Sequence, residues 1–192
     1  MNRVFEKASP TAAVLKQGGH LVLTLLGLFA VSTAGICSEP ARPLEKANVL
    51  PLALDDHFQF RKFKTLRVDP LLEKKTKTTK TPDLAIEFEK KSAYFKAVTS
   101  KDKKEREGEY FTFFWKAGVP ADLTVRFEYR QENLGDFVQA REISCPEAKG
   151  SMTTKFAIVG DDYTEDGRIT AWRALLIENG KIVGLTQSYL WN

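Results

Sequence analysis

Cysteine and histidine are scarce: the 192-residue chain carries two of each, Cys37 and Cys145, His20 and His57. Two cysteines exclude a disulfide-dense scaffold and leave the hydrophobic core as the expected source of stability. A structural zinc site needs three or four Cys, His or carboxylate ligands, which one histidine beyond the N-terminal segment and two distant cysteines do not supply. A Ser–His–Asp or Cys–His arrangement would have to recruit His57. Glycine (12) and proline (8) are too few for a collagen-like chain. No glycine-rich phosphate loop is present, because Gly-Lys occurs only at Gly180-Lys181, inside an expected hairpin turn. The expectation is therefore a protein that is not an enzyme and uses no cofactor.

What is present begins with an address. Arg3, Lys7 and Lys16 face a single acid, Glu6, and an apolar run follows from Leu21 to Ile36. A positive start, a short apolar stretch and a small-residue exit match a secretory signal peptide. Sixteen helical residues span roughly 24 Å, short of the hydrocarbon core of a bilayer. Cleavage fits after Ser32, Ala34, Gly35 or Ser38. An uncleaved signal anchor is the rival reading of residues 1–38, because the basic start is long. A lipoprotein would use Cys37, but Ile36 stands where a small residue belongs. Export changes the reading of the cysteines. Cleavage before residue 38 leaves both Cys37 and Cys145, whereas cleavage after Ser38 leaves Cys145 alone, either buried and inert or bonded to another chain; two cysteines are in either case too few to staple the domain strongly.

The body of the chain reads as β. Residues 39–81 form an arm or linker: an aperiodic stretch with Pro40, Pro43 and Pro51, then a possible edge strand from His57 to Val68. The basic run Glu73 to Pro82, rich in Lys and Thr, is expected to be a solvated loop. From residue 82 the pattern alternates. Leu84, Ile86 and Phe88 predict a strand, and Tyr94, Phe95 and Val98 a second. Lys101 to Glu109 reads as a charged turn. Further strands are predicted at Tyr110–Lys116, Leu123–Arg130, Phe137–Cys145, Thr153–Val159, Arg168–Ile177 and Lys181–Trp191. Asn179-Gly180 between two alternating runs is a strong hairpin signal. No capped amphipathic helix of ten residues is expected after residue 38.

Seven to eight antiparallel strands at this spacing predict an all-β fold, an immunoglobulin-like β-sandwich over residues 82–192. The segment from Glu165 to Val183, a glycine, an aromatic strand and a tight hairpin, resembles the last two strands of bacterial exported immunoglobulin-like or fibronectin-III-like domains. The resemblance covers the last 110 residues or so and is architectural. There is no cysteine pair between the expected sheets, and a tyrosine corner is not clearly placed, with Tyr163 or Trp172 in a comparable role. Such folds host many functions, so the resemblance implies no activity.

Candidate sites are few. Trp172, Tyr163 and Tyr189 are candidates for a ligand-binding, sugar-stacking surface, although Trp115 sits on an apolar strand face and reads as core. Asp161, Asp162 and Asp166 form an acidic turn and a weak alternative for a metal. As an EF-hand loop starting at Asp162 it fails, because Arg173 stands where the bidentate Glu belongs. Glu147 with two of those acids is a remote alternative for a carboxylate hydrolase. Arg126, Glu128 and Arg130 are expected to pair across strands with Arg141 and Glu142.

The net charge of +4 is unevenly spread. Residues 61–104 carry 14 Lys+Arg against 6 Asp+Glu, whereas residues 105–192 carry 10 against 14. The basic stretch has no interleaved aromatics for stacking on nucleic acid, which is not expected as a partner. The function expected is an exported immunoglobulin-like module, secreted, periplasmic or in the cell envelope, that contacts a protein partner or an envelope polymer or serves as a structural part. A carbohydrate-binding module is the alternative. Membrane contact is expected only through the N-terminal segment, as an inner-membrane single-pass anchor if uncleaved.

Overall fold

The alternating apolar residues from Phe111 to Tyr129 build one strand where two were predicted. A computed structural model describes residues 35–37, 39–70 and 84–191. The segment read as a signal peptide or anchor, up to residue 34, and the Lys/Thr-rich stretch lie outside the described residues. In chain order the elements are β1 (Gly35–Ile36), β2 (Arg42–Leu44), β3 (Phe58–Val68), α1 (Leu84–Ala93), α2 (Ser100–Lys104), β4 (Gly108–Gln131), β5 (Gln139–Val159), α3 (Asp161–Thr164), β6 (Ile169–Glu178) and β7 (Lys181–Gln187). The described chain is mostly β, with one seven-stranded mixed sheet in the order β1-β5-β4-β6-β7. Strand β2 adds to β5 and β3 to β4.

The sheet folds over along the β4–β5 hairpin. The first half of β4 pairs with β3, its second half with β6, and β5 follows β4 throughout. The register of β4 against β5 shifts between Ala117 and Leu123. Pro120 sits in that interruption, where a residue without an N–H loses no ladder bond. Across the fold, side chains of one parity all point inward. Phe111 and Phe113 from one half meet Phe127 at 4.7 and 5.6 Å between ring centroids. Trp172 of β6 closes on Phe113 at 5.4 Å. Trp115 is buried in this core as expected, and its indole N–H donates to the Thr154 hydroxyl at 2.9 Å.

Four expectations are corrected. The period-two run Leu84, Ile86, Phe88 forms helix α1, because Leu, Ala, Glu and Lys dominate it and all favour helix. The expected turn at 101–109 begins with helix α2, closed by a capping box between Thr99 and Asp102. The Pro146–Ser151 turn is a distortion within β5, with Glu147 and Gly150 at positive φ. The strands are not all antiparallel, since Gly35 and Ile36 run parallel to Met152 and Thr153. Gly35 suits this place: a side chain there would collide with the Met152 sulfur. The edge strand read at His57–Val68 is β3, and Asn179-Gly180 turns β6 into β7 with both residues at positive φ.

The lone-thiol reading is also corrected. Cys145 is bonded to Cys37, 108 residues away, with Cα atoms 5.3 Å apart. The Cys37 N–H donates to the Thr153 carbonyl at 3.2 Å. The bridge thus ties together the two sides of the β5 distortion, Cys145 and Thr153, through one N-terminal residue.

Residues 48–55, read from sequence as linker or loose arm, lie on the outer face of the sheet. Leu50 packs on Leu175, Ile177 and Ile182. Leu52 pairs in parallel with Ile182, and the N–H groups of Ala53 and Asp55 donate to the carbonyls of Ile182 and Val183. This cover explains why Glu128 and Arg126 are buried. Arg126 donates to Glu142 at 2.7 Å, the cross-strand pair expected from register, and to the Asn48 carbonyl at 2.9 Å. Glu128 takes a bond of 2.5 Å from Arg173. Trp191 closes the same face, with the guanidinium groups of Arg130 and Arg173 each 4.9 Å from its ring centroid.

Candidate functional site

The three aromatic candidates gather around one end of β3. Trp172 and Tyr189 line a cleft of about 400 Å³ together with Arg67, Glu109, Thr170 and Ser188. Tyr163 stands on α3, and its hydroxyl donates to Asp69 at 3.3 Å. The cleft exists because Val68 and Gly108 pair at the end of the β3–β4 ladder, placing Arg67 opposite Glu109. The C-terminal residues 188–190 then fold back against Trp172, with Ser188 accepting the Trp172 N–H at 3.0 Å.

Within the cleft the aromatics differ sharply. Trp172 is only 7% exposed, packed edge-on against Phe63 and Phe113. Its indole face is spent on the core, so it offers no open platform for a sugar ring. This corrects Trp172 as a stacking candidate: two ambiguous neighbours in sequence, Ala171 and Arg173, hid a side chain that points inward. Tyr189 is 95% exposed and is the aromatic that remains available.

The polar groups form a tight electrostatic set. Arg67 donates to the Glu109 carboxylate at 2.6 Å, and that carboxylate is buried. Burial pushes the Glu109 pKa up, and the Arg67 guanidinium opposes the rise without cancelling it. The Tyr163 phenol is pushed up to about 12, first by burial and then by the negative charges of Asp69 and Glu109. Sequence reading missed Arg67 and Glu109. The only signal was an Arg and a Glu on two strands whose pairing register was not yet known.

The acidic turn is used structurally. Gln131 donates its amide to the carbonyls of Asp162 and Gly167 at 2.8 and 2.7 Å, and Asn133 to that of Glu165 at 2.7 Å. Asp162 pairs with Arg141, and Asp166 accepts from Gln139 at 3.0 Å. Among the described residues no three His, Cys, Asp or Glu side chains converge as a metal would need, Asp161, Asp162 and Asp166 included. Glu147 sits in the β5 distortion, where its N–H is bound by Asp122 at 2.8 Å. His57 pairs with Asp55, Nδ1 to Oδ1, at 2.7 Å, and the recess beside it is lined by Asp56, Gln59, Arg61, Lys116 and Gly118.

A second concavity of about 560 Å³ lies between helix α1 and the outer face of β3, β4 and β5. Leu66, Tyr110, Phe114 and Ala157 floor it, and Ile36 closes one side. Helix α1 is held over it by Glu89 to Lys64 at 3.3 Å, and at its C-terminal end by Arg106, which donates to the carbonyls of Ala93 and Phe95. Among the described residues no helix is long and apolar enough to cross a membrane. No protein-family model, curated protein or solved structure matches the chain.

Proposed function

We propose that this is an exported, non-enzymatic immunoglobulin-like module that works in the cell envelope or outside the cell, by contact with another protein or as a structural part. The observation that carries the reading is the Cys37–Cys145 disulfide. Such bonds persist in oxidising compartments and are rare in the cytosol. The bond also sharpens the address. Cleavage after Ser38 would remove Cys37, whereas cleavage after Ser32 or Ala34 keeps both the cysteine and the paired residues of β1. A lipid thioether on Cys37 is incompatible with the same sulfur in a disulfide. The immunoglobulin-like description draws support from a β-rich chain folded over an aromatic core that includes a buried Trp115. A carbohydrate-binding role has little left to support it beyond Tyr189.

Fractionation with N-terminal sequencing tests the reading. The expected result is an oxidised chain outside the cytoplasm that begins at or before Ile36, or an uncleaved chain anchored with its body outside. An intact, reduced chain in the cytosol would defeat it.

A further inference from the structure

Helix α1 wears its amphipathy inside out. A helix packed on a sheet normally turns its apolar stripe inward. Here Glu89, Ser92 and Ala93 line the groove toward the sheet. Leu84 and Phe88, one turn apart on the helix, and Phe95, in the turn just past its end, are 80%, 71% and 67% exposed. Lys91 shares the Leu84–Phe88 stripe, and Ile86 and Val98 are exposed nearby. The orientation is fixed by the Glu89–Lys64 pair and the Arg106 bonds at the helix end, so the stripe is not a helix free to roll over.

The charge around this stripe is net positive. Residues 84–104 hold six lysines against three acids, and β3 beside them holds Arg61, Lys62, Lys64 and Arg67 with no acid. Large apolar side chains standing among lysines are what the boundary between headgroups and acyl chains accepts: the rings enter, and the ammonium groups stay with anionic headgroups.

We propose that Leu84 and Phe88 of α1 and Phe95 just after it, with Lys91 and Lys96, seat the domain on an anionic lipid surface. The contact is peripheral, made by the body of the protein, and is separate from any anchoring by residues 21–36. It stands on the helix alone and does not depend on the export reading.

The test uses the full chain carrying Phe88→Trp. The native tryptophans are all buried, so the new indole reports this face. With vesicles containing phosphatidylglycerol, its emission should shift to the blue and be quenched by bromine-labelled acyl chains. Lys91→Gln and Lys96→Gln should each weaken binding about fivefold, and pure phosphatidylcholine should bind far more weakly. Leu84→Ser and Phe95→Ser should each weaken it by about tenfold, without changing thermal stability. The proposal is overturned if the indole stays in water with anionic vesicles, or if binding ignores the lysines. It is also overturned if the blue shift grows with protein concentration in the absence of lipid, which would make a second copy of the chain the occupant.

Discussion

Breaking the Cys37–Cys145 bond should destabilise the fold by an amount its loop length sets. The bond joins residues 108 apart. Closing a loop of that length removes about 16 cal/mol/K from the unfolded chain, or about 4.8 kcal/mol at 25 °C. That is a ceiling, because unfolded chains are already compact and measured values run about 2–4 kcal/mol. For the described residues, about 140 of them, the entropy of unfolding is about 0.3 kcal/mol/K. The expected drop in Tm is therefore about 7–13 °C, with about 16 °C as the limit. Reduction of the intact protein is the cleanest perturbation, since it removes no atoms from the buried Cys145 site. Calorimetry with and without reductant reads the shift, and Cys37→Ala with Cys145→Ala should reproduce it. Melting temperatures within about 2 °C of one another would refute the reasoning, because Cys37 would then not be held at β5.

Phe113→Ala should cost about 3–5 kcal/mol in denaturant unfolding, since this fully buried ring meets Phe127, Phe156 and Trp172. Arg67→Met should cost about 3 kcal/mol by stranding the buried Glu109 carboxylate, and Glu109→Gln much less, because burial already disfavours the charged form. Tyr163 binds its proton more tightly in the folded state, so its contribution is complete below pH 10 and is lost as the pH rises toward about 12. Phenolate absorbance should show its late titration, and Tyr163→Phe should remove that part of the alkaline loss.

Much of the sheet was legible because strand periodicity is local. The β6–β7 hairpin follows from Asn179-Gly180, and the inward residues of β4 follow from simple alternation. Helix α1 was not legible as such, because Leu84, Ile86 and Phe88 alternate like a strand. Only exposure reveals that Leu84 and Phe88 of the helix and Phe95 just after it are all turned to solvent. The continuity of β4 was hidden by the Ala-Gly-Val-Pro-Ala segment at 117–121, which reads as a break and is a bend. The cleft needed register to bring Arg67 to Glu109, and the disulfide needed knowledge of which residues stay on the chain. Arg126 and Glu128 were placed correctly on a polar face. Their burial depends on residues 48–50, nearly 80 positions earlier, which no local pattern encodes.

The parallel seam between Leu52 and Ile182 has a kinetic meaning. Its partners lie 130 residues apart, so closing it costs more loop entropy than forming the β4–β5 and β6–β7 hairpins, and it is expected to close after them. Until then the rim of β7 presents open backbone groups, a template for pairing with another molecule during synthesis. In the finished fold the arm removes this open edge, which would otherwise invite pairing with another molecule.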